Sequence, residues 1–141
     1  MSTYNLNKDR DRELLRLLRY GAAFWNAWRA DHQETPVILD GESLNGLILT
    51  GIDLSRASLR GASMHATNLM NADLRGADLT GANLVEADLI MARLDGAILA
   101  GANLHEADLL GASLRHATVS ASDLRGALHV PAAAETPETG T

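Results

Sequence analysis

The sequence predicts a mainly β solenoid of five-residue repeats behind a short helical cap. Three observations carry this. A leucine recurs every five residues from Leu39 to Leu124, with Met64 and Val119 the two substitutes, giving 18 repeats between residues 37 and 126. Alanine stands two places before most of these leucines, as at Ala57, Ala72, Ala87 and Ala102, and a small polar residue such as Asp73, Asn83 or Asp108 lies between. All five aromatic residues, Tyr4, Tyr20, Phe24, Trp25 and Trp28, fall before residue 30.

A period of five suits neither regular element. On an α-helix, five steps rotate each leucine roughly 140° from the last, which scatters them around the cylinder. On a flat strand, an odd step sends successive leucines to opposite faces. Only a chain that bends once per repeat keeps every leucine on one side. Each short strand then reads alanine in, polar residue out, leucine in, and the next two residues turn the corner. Glycine at Gly61, Gly76, Gly81, Gly96, Gly101 and Gly111 suits the positive φ of such a corner. Leu59, Leu74, Leu79, Leu84, Leu89, Leu94 and Leu104 are the predicted core along the axis.

Three segments follow. Residues 1–36 form the cap, 37–126 the repeat domain, and 127–141 a tail rich in Pro, Ala, Glu and Thr that is expected to be disordered. In the cap, Leu14, Leu17, Leu18, Trp25 and Trp28 share a helical stripe over about Lys8 to Ala30, with Gly21 a candidate break and Asn7 or Asp9 a candidate N-cap. The stripe needs a surface, and the open first coil offers one, so Leu14, Leu18, Trp25 and Trp28 are the predicted packing residues. Glu42 occupies an inward position, where it is expected to bond to the cap or turn outward.

The tracts Ala72-Asp73-Leu74-Arg75-Gly76, Ala77-Asp78-Leu79-Thr80-Gly81 and Ala82-Asn83-Leu84 resemble the A(D/N)LXX motif of the pentapeptide-repeat family. The resemblance implies a right-handed quadrilateral β-helix with four repeats per coil, hence about 4.5 coils here. Gly41, Gly61, Gly81 and Gly101, recurring at twenty, agree with it. Trp25-Asn26-Ala27-Trp28-Arg29 is similar to a segment ahead of the repeats in some bacterial, often cyanobacterial, members.

Bulk properties narrow the function. A formal charge of −6 opposes direct nucleic-acid binding, which needs clustered Lys and Arg. The absence of cysteine excludes disulfides and thiolate metal sites. The polar start has no apolar signal core, and no apolar run approaches a membrane span, so a cytoplasmic protein without a membrane partner is expected.

No catalytic constellation, cofactor motif or metal set is predicted. His65 and His105 hold the same outward position two coils apart, roughly 10 Å at about 4.8 Å per coil, too far to share a metal. His32, His116 and His129 lie elsewhere. Asp88 and Asp108 stack on one face, but a flat face offers no cleft for paired acid–base work.

One departure from the repeat stands out. Just after Leu49, Leu69, Leu89 and Leu109 come Thr50, Met70, Ile90 and Leu110, with Met91 beside them. These positions should meet solvent and are mostly polar on other faces, so Met70, Ile90, Met91 and Leu110 form a candidate protein interface. The leading expectation is a noncatalytic interaction module that binds a protein partner or a second copy of itself, the latter as a homodimeric scaffold through Met70, Ile90 and Leu110. The alternative, implied by the resemblance, is a DNA mimic that binds DNA gyrase, as quinolone-resistance members do. Against it, residues 37–126 carry eleven acids and six arginines, a net of −5, on a rod of only about 22 Å.

Overall fold

The computed structural model describes residues 3–121 and 123–132, with side chains from Lys8 onward. The chain turns at every repeat because one residue per repeat adopts left-handed backbone. The second residue after each leucine has positive φ, from Gly41 at 71° to Gly111 at 70°. The leucine carbonyl accepts the N–H three residues on, as in Ala57 N–H to Leu54 O at 3.1 Å, which closes a type II turn in φ. Seven corners have a side chain where glycine would be unstrained: Arg56, Ala66, Asn71, Glu86, Met91, Glu106 and His116.

Between corners, one residue per repeat bridges to the residue twenty places later. Ile38 pairs with Ser58, Ser43 with Ser63, Ile48 with Asn68 and Asp53 with Asp73, all parallel. Four columns of rungs, offset by five residues, thus close one coil every twenty residues. Each rung uses two bonds, as where Leu39 N–H donates to Ser58 O at 2.7 Å and Ser58 N–H donates to Val37 O at 2.8 Å. The sides are shorter than expected from the strand reading. With a turn every five residues, one bridging residue is all that fits, and the described residues form isolated bridges instead of extended strands.

The leucines line the axis. Leu59, Leu74, Leu79, Leu84, Leu89, Leu94 and Leu104 are all buried, with the alanines between them. Alanine is small enough to leave the corner room beside leucine. From Ala57 onward only Thr67 replaces it, and Thr67 stays fully buried because its hydroxyl donates to Leu44 O at 2.8 Å.

The outward polar residue has a backbone task. Its side-chain oxygen accepts the N–H two residues later, at the corner. Asp73 serves Arg75, Asp78 serves Thr80, Asn83 serves Val85 and Asp88 serves Ile90, at 3.0–3.1 Å. At Ser58, Ser63 and Ser113 the corner amide is instead served by an Asp or Asn side chain from the preceding coil. Asp40 accepts from both Ser58 Oγ–H and Arg60 N–H, and Asn45 from Ser63 and His65. Asp95 does the same for Ser113 and Arg115.

The cap consists of helix α1 (Thr3–Arg19) and helix α2 (Ala22–Asp31), separated at Gly21, whose φ of 107° breaks the helix. Helix α1 begins ahead of Asn7 and Asp9, the expected N-caps. Leu14, Leu18 and Trp25 are buried, and Trp28 packs half-buried beside them. Helix α2 closes the first coil with side chains acting as a strand. Asp53 N–H donates to Asn26 Oδ1 at 2.8 Å, Asn26 Nδ2 donates to Gly51 O at 3.0 Å, and Trp25 Nε1–H donates to Asp53 O at 2.6 Å. Arg29, buried, ties α2 to the loop after it through the carbonyls of His32 and Thr35. Glu42 is half-buried, and its carbonyl keeps the ladder bond to Ser63 N–H.

At the other end the ladder runs to Leu128, paired with Asp108, two residues past the boundary set by the leucine period. The repeat around Leu124 leaves the ladder: Leu124 N–H turns back to Ser120 O, and Asp123 substitutes by accepting from Gly101 N–H. Leu128 bridges to Asp108 and His129 bonds to its side chain, so the tail's first residues belong to the coil; residues 133–141 lie outside the described residues.

Candidate interaction face

Two neighbouring faces share one backbone and differ in what they show. The face of Asp53, Asp73, Arg93 and Ser113 carries Ser55, Arg75, Asp95 and Arg115 after its leucines. It satisfies itself. Arg75 grips Asp73 with Nε at 2.9 Å and Nη2 at 2.7 Å, and Ser55 Oγ–H donates to Asp53 at 2.6 Å. Burial would raise the Asp73 carboxyl, but the hydrogen bonds and charge of Arg75 outweigh it and hold the group below its ordinary value.

The face of Ile48, Asn68, Asp88, Asp108 and Leu128 carries Thr50, Met70, Ile90 and Leu110. Met70 and Ile90 are half-buried, while Met91 and Leu110 are 55% and 51% exposed. The structure therefore brings the four candidate residues onto one column, with Met91 at its corner. It also adds Ile48, 74% exposed, and Leu128, 45% exposed, at the two ends. Met91 lies across Gly111, where a Cβ would collide with its sulfur. The exposed Met91 side chain can swing aside, so the demand for glycine at this corner is conformational, from its φ of 70°.

Acid surrounds this column. Asp88 and Asp108 stand on the same face, and Glu86 and Glu106 on the corner leading into it; no Lys or Arg occupies these positions. The Oδ1 atoms of Asp88 and Asp108 accept the Ile90 and Leu110 N–H groups at 3.0 Å, so they serve the corner as other repeats do and are not a pair poised for acid–base exchange. His129 Nδ1 adds a bond to Asp108 at 2.9 Å, and this bond, with the Leu110 amide, holds the Asp108 carboxyl below its ordinary value.

The remaining histidines are separate from one another. His65 lies 3.7 Å from Glu86, and His105 lies 3.8 Å from Glu106. His32 stacks on Trp28 with ring centroids 4.8 Å apart. Among the described residues no group of three or more His, Cys, Asp or Glu side chains is placed to hold a metal ion. Nor is any helix there long and apolar enough to cross a membrane. A shallow cleft of about 440 Å³ lies where the Leu124 repeat leaves the ladder, lined by Asn103, His105, Asp123 and Arg125.

Sequence reasoning missed Asn26 and Trp25 Nε1 as strand substitutes, because nothing in a helix marks a side chain that will complete a ladder. It also missed the serine rule, although serine at 58, 63 and 113 with Asp or Asn eighteen places earlier was a readable signal.

The family description "pentapeptide repeats" matches the chain in eight copies, over residues 43–76, 71–101 and 94–128. Among solved structures, the chain is similar to a pentapeptide repeat protein from the thylakoid lumen of Arabidopsis thaliana. That likeness has 30% identity and a TM-score of 0.54, over 67% of this chain and 69% of that one. A pentapeptide repeat protein from Nostoc PCC 7120 is 35% identical over 67% of this chain and 81% of its own, with a TM-score of 0.42. QnrB1, a plasmid-mediated fluoroquinolone resistance protein, is 20% identical over 66% of this chain and 62% of its own, with a TM-score of 0.30. No curated protein matches the chain.

Proposed function

The chain belongs to the pentapeptide-repeat family, and on that premise we propose that it is a noncatalytic interaction module whose working surface is the Ile90 face. Its form is the right-handed, four-sided β-helix that the motif implies, a rigid support for that surface. The observation that carries the reading is the exposed apolar column of Met70, Ile90, Met91 and Leu110, ringed by four carboxylates on a fold whose corners do not require apolar residues there. The repeat needs alanine, a polar residue, leucine and a left-handed corner; the residue after each leucine is free to vary. A contiguous apolar strip in free positions is the mark of a contact surface.

A pull-down with the whole chain tests it. Ile90→Glu with Leu110→Glu is expected to lose the captured protein, and Arg75→Glu with Arg115→Glu on the neighbouring face to retain it. Equal capture by both pairs contradicts the reading. The gyrase alternative is tested by a supercoiling assay, in which this protein is expected to leave the enzyme's activity unchanged. Arg75, Arg93 and Arg115 interrupt the acids of one whole face, unlike the continuous negative charge of a duplex.

A further inference from the structure

The Ile90 face has a chemical counterpart on the same chain. Arg12, Arg16 and Arg19 of α1 and Tyr20 just past its end follow one stripe at helical spacing, and all four are exposed. The Tyr20 ring lies 5.7 Å from that of Phe24, and the two are 67% and 62% exposed, a pair of aromatics turned away from the core their neighbours fill. The arginines are loosely held. Arg12 and Arg16 approach Asp9 and Glu13 only at 3.9 and 3.8 Å in exposed pairs, and Arg19 has no ion pair among the described residues.

We propose that the Ile90 face of one copy receives the Arg16–Tyr20–Phe24 surface of the cap of a second copy, a head-to-side contact that rests on the Ile90 face being the working surface. Charge complementarity argues for this occupant. The face offers apolar side chains among Glu86, Asp88, Glu106 and Asp108, with no Lys or Arg and only His65, His105 and His129 beside the acids; the cap offers aromatic side chains among arginines. Face-to-face pairing would set acid against acid, which costs association free energy. Lengths agree as well. Met70 to Leu110 spans two coils, about 10 Å, and Arg12 to Tyr20 spans about 12 Å of helix. No ion pair joins the two surfaces within one chain among the described residues; the acids of the face meet only histidines, at 3.7, 3.8 and 2.9 Å. Tyrosine and arginine are the residue types that anchor such contacts.

The contact is heterologous: after one contact the donor copy still has a free face and the receiving copy a free cap, so assembly continues past the dimer into a ring or an open chain. Sedimentation velocity of the full chain is expected to show mass rising with concentration and falling as salt is added. The decisive step uses two variants, each with its fold checked by circular dichroism. One carries Arg19→Glu and Tyr20→Ser, the other Leu110→Glu. Each alone is expected to stay at the 15.0 kDa monomer. Mixed, they are expected to form a one-to-one complex at twice that mass, because each retains the surface the other lacks. A mixture that stays monomeric overturns the proposal. So does a cap variant that still self-associates while Leu110→Glu does not: that result makes the contact face to face and leaves the Ile90 face as the working surface. A native chain that stays monomeric at every concentration also overturns it, and the pull-down then decides the broader reading separately.

Discussion

The Ile90 face and the Arg75 face are adjacent sides of one coil, with the same bridges, the same corners and the same buried leucines, yet one is apolar and acid-rimmed and the other is polar and self-paired. The difference isolates what the fold requires from what it permits. Both faces keep an oxygen to accept the corner amide, from Asp88 on one and from Asp73 or Asp95 on the other. Both keep leucine beneath. Above that, the residue after the leucine changes character, Ile90 against Arg75 and Leu110 against Arg115, and so do the corner at Met91 and the bridging residues Ile48 and Leu128 at the two ends. Function is therefore sought where the repeat exerts no demand.

The strongest test of that separation is beneath the surface. Leu89 lies under the Ile90 face and Leu94 under its neighbour, and both are fully buried. Leu89→Ala and Leu94→Ala should each lose about 2–5 kcal/mol in urea unfolding, with no consistent difference between faces. A large asymmetry would break the comparison by showing that the two faces are not equally supported.

The cap should act on one face alone. Asn26→Ala strands the Asp53 N–H and the Gly51 carbonyl, which costs about 1–3 kcal/mol. Amide exchange should accelerate at Asp53 and Leu54, at the start of the Arg75 face, more than in the last coil. At the corners, Asp95→Ala should cost about 1 kcal/mol because it frees Arg115 N–H and Ser113 one coil away, whereas Arg75→Ala on the exposed surface should stay within about 0.5 kcal/mol. Met91 holds a left-handed corner with φ of 59°. Met91→Gly relieves about 1 kcal/mol of left-handed strain while removing part of the apolar column, so melting temperature should rise as partner capture falls.

Acid gives the smallest effect per group. Asp78 is held low by the Thr80 hydroxyl and by Arg60, and Asp108 by His129. Carboxyls lowered on folding stabilise fully above their ordinary value of 3.8 and lose that contribution as pH falls through the lowered folded values. Urea midpoints should be flat from neutral pH to about 5 and then drop; Asp78→Asn should make the drop shallower.

Much of this was legible in the chain. A leucine period held through eighteen repeats excludes helix and flat strand, and the inward set followed from it directly. The corner glycines showed where left-handed backbone falls, and Thr50, Met70, Ile90 and Leu110 could be placed on one column by counting alone. What could not be read involves contacts between distant segments. Asn26 reaches Asp53 from a helix, and His129 leaves the inward register to bond Asp108. Neither lies in a periodic pattern, and both depend on how the two ends are closed. The aromatic pair of Tyr20 and Phe24 was visible as composition, but its exposure beside Arg16 and Arg19 depends on which side of α1 the first coil covers.

Whether the Ile90 face is a contact surface can be read from methionine oxidation. Met91 is 55% exposed and Met64 is fully buried, so peroxide should modify Met91 quickly and Met64 slowly in dilute protein. In the associated or partner-bound state, the Met91 rate should fall severalfold toward that of Met64, and Leu110→Glu should restore it. An unchanged Met91 rate in a complex shown by sedimentation to have formed would place the contact elsewhere on the molecule.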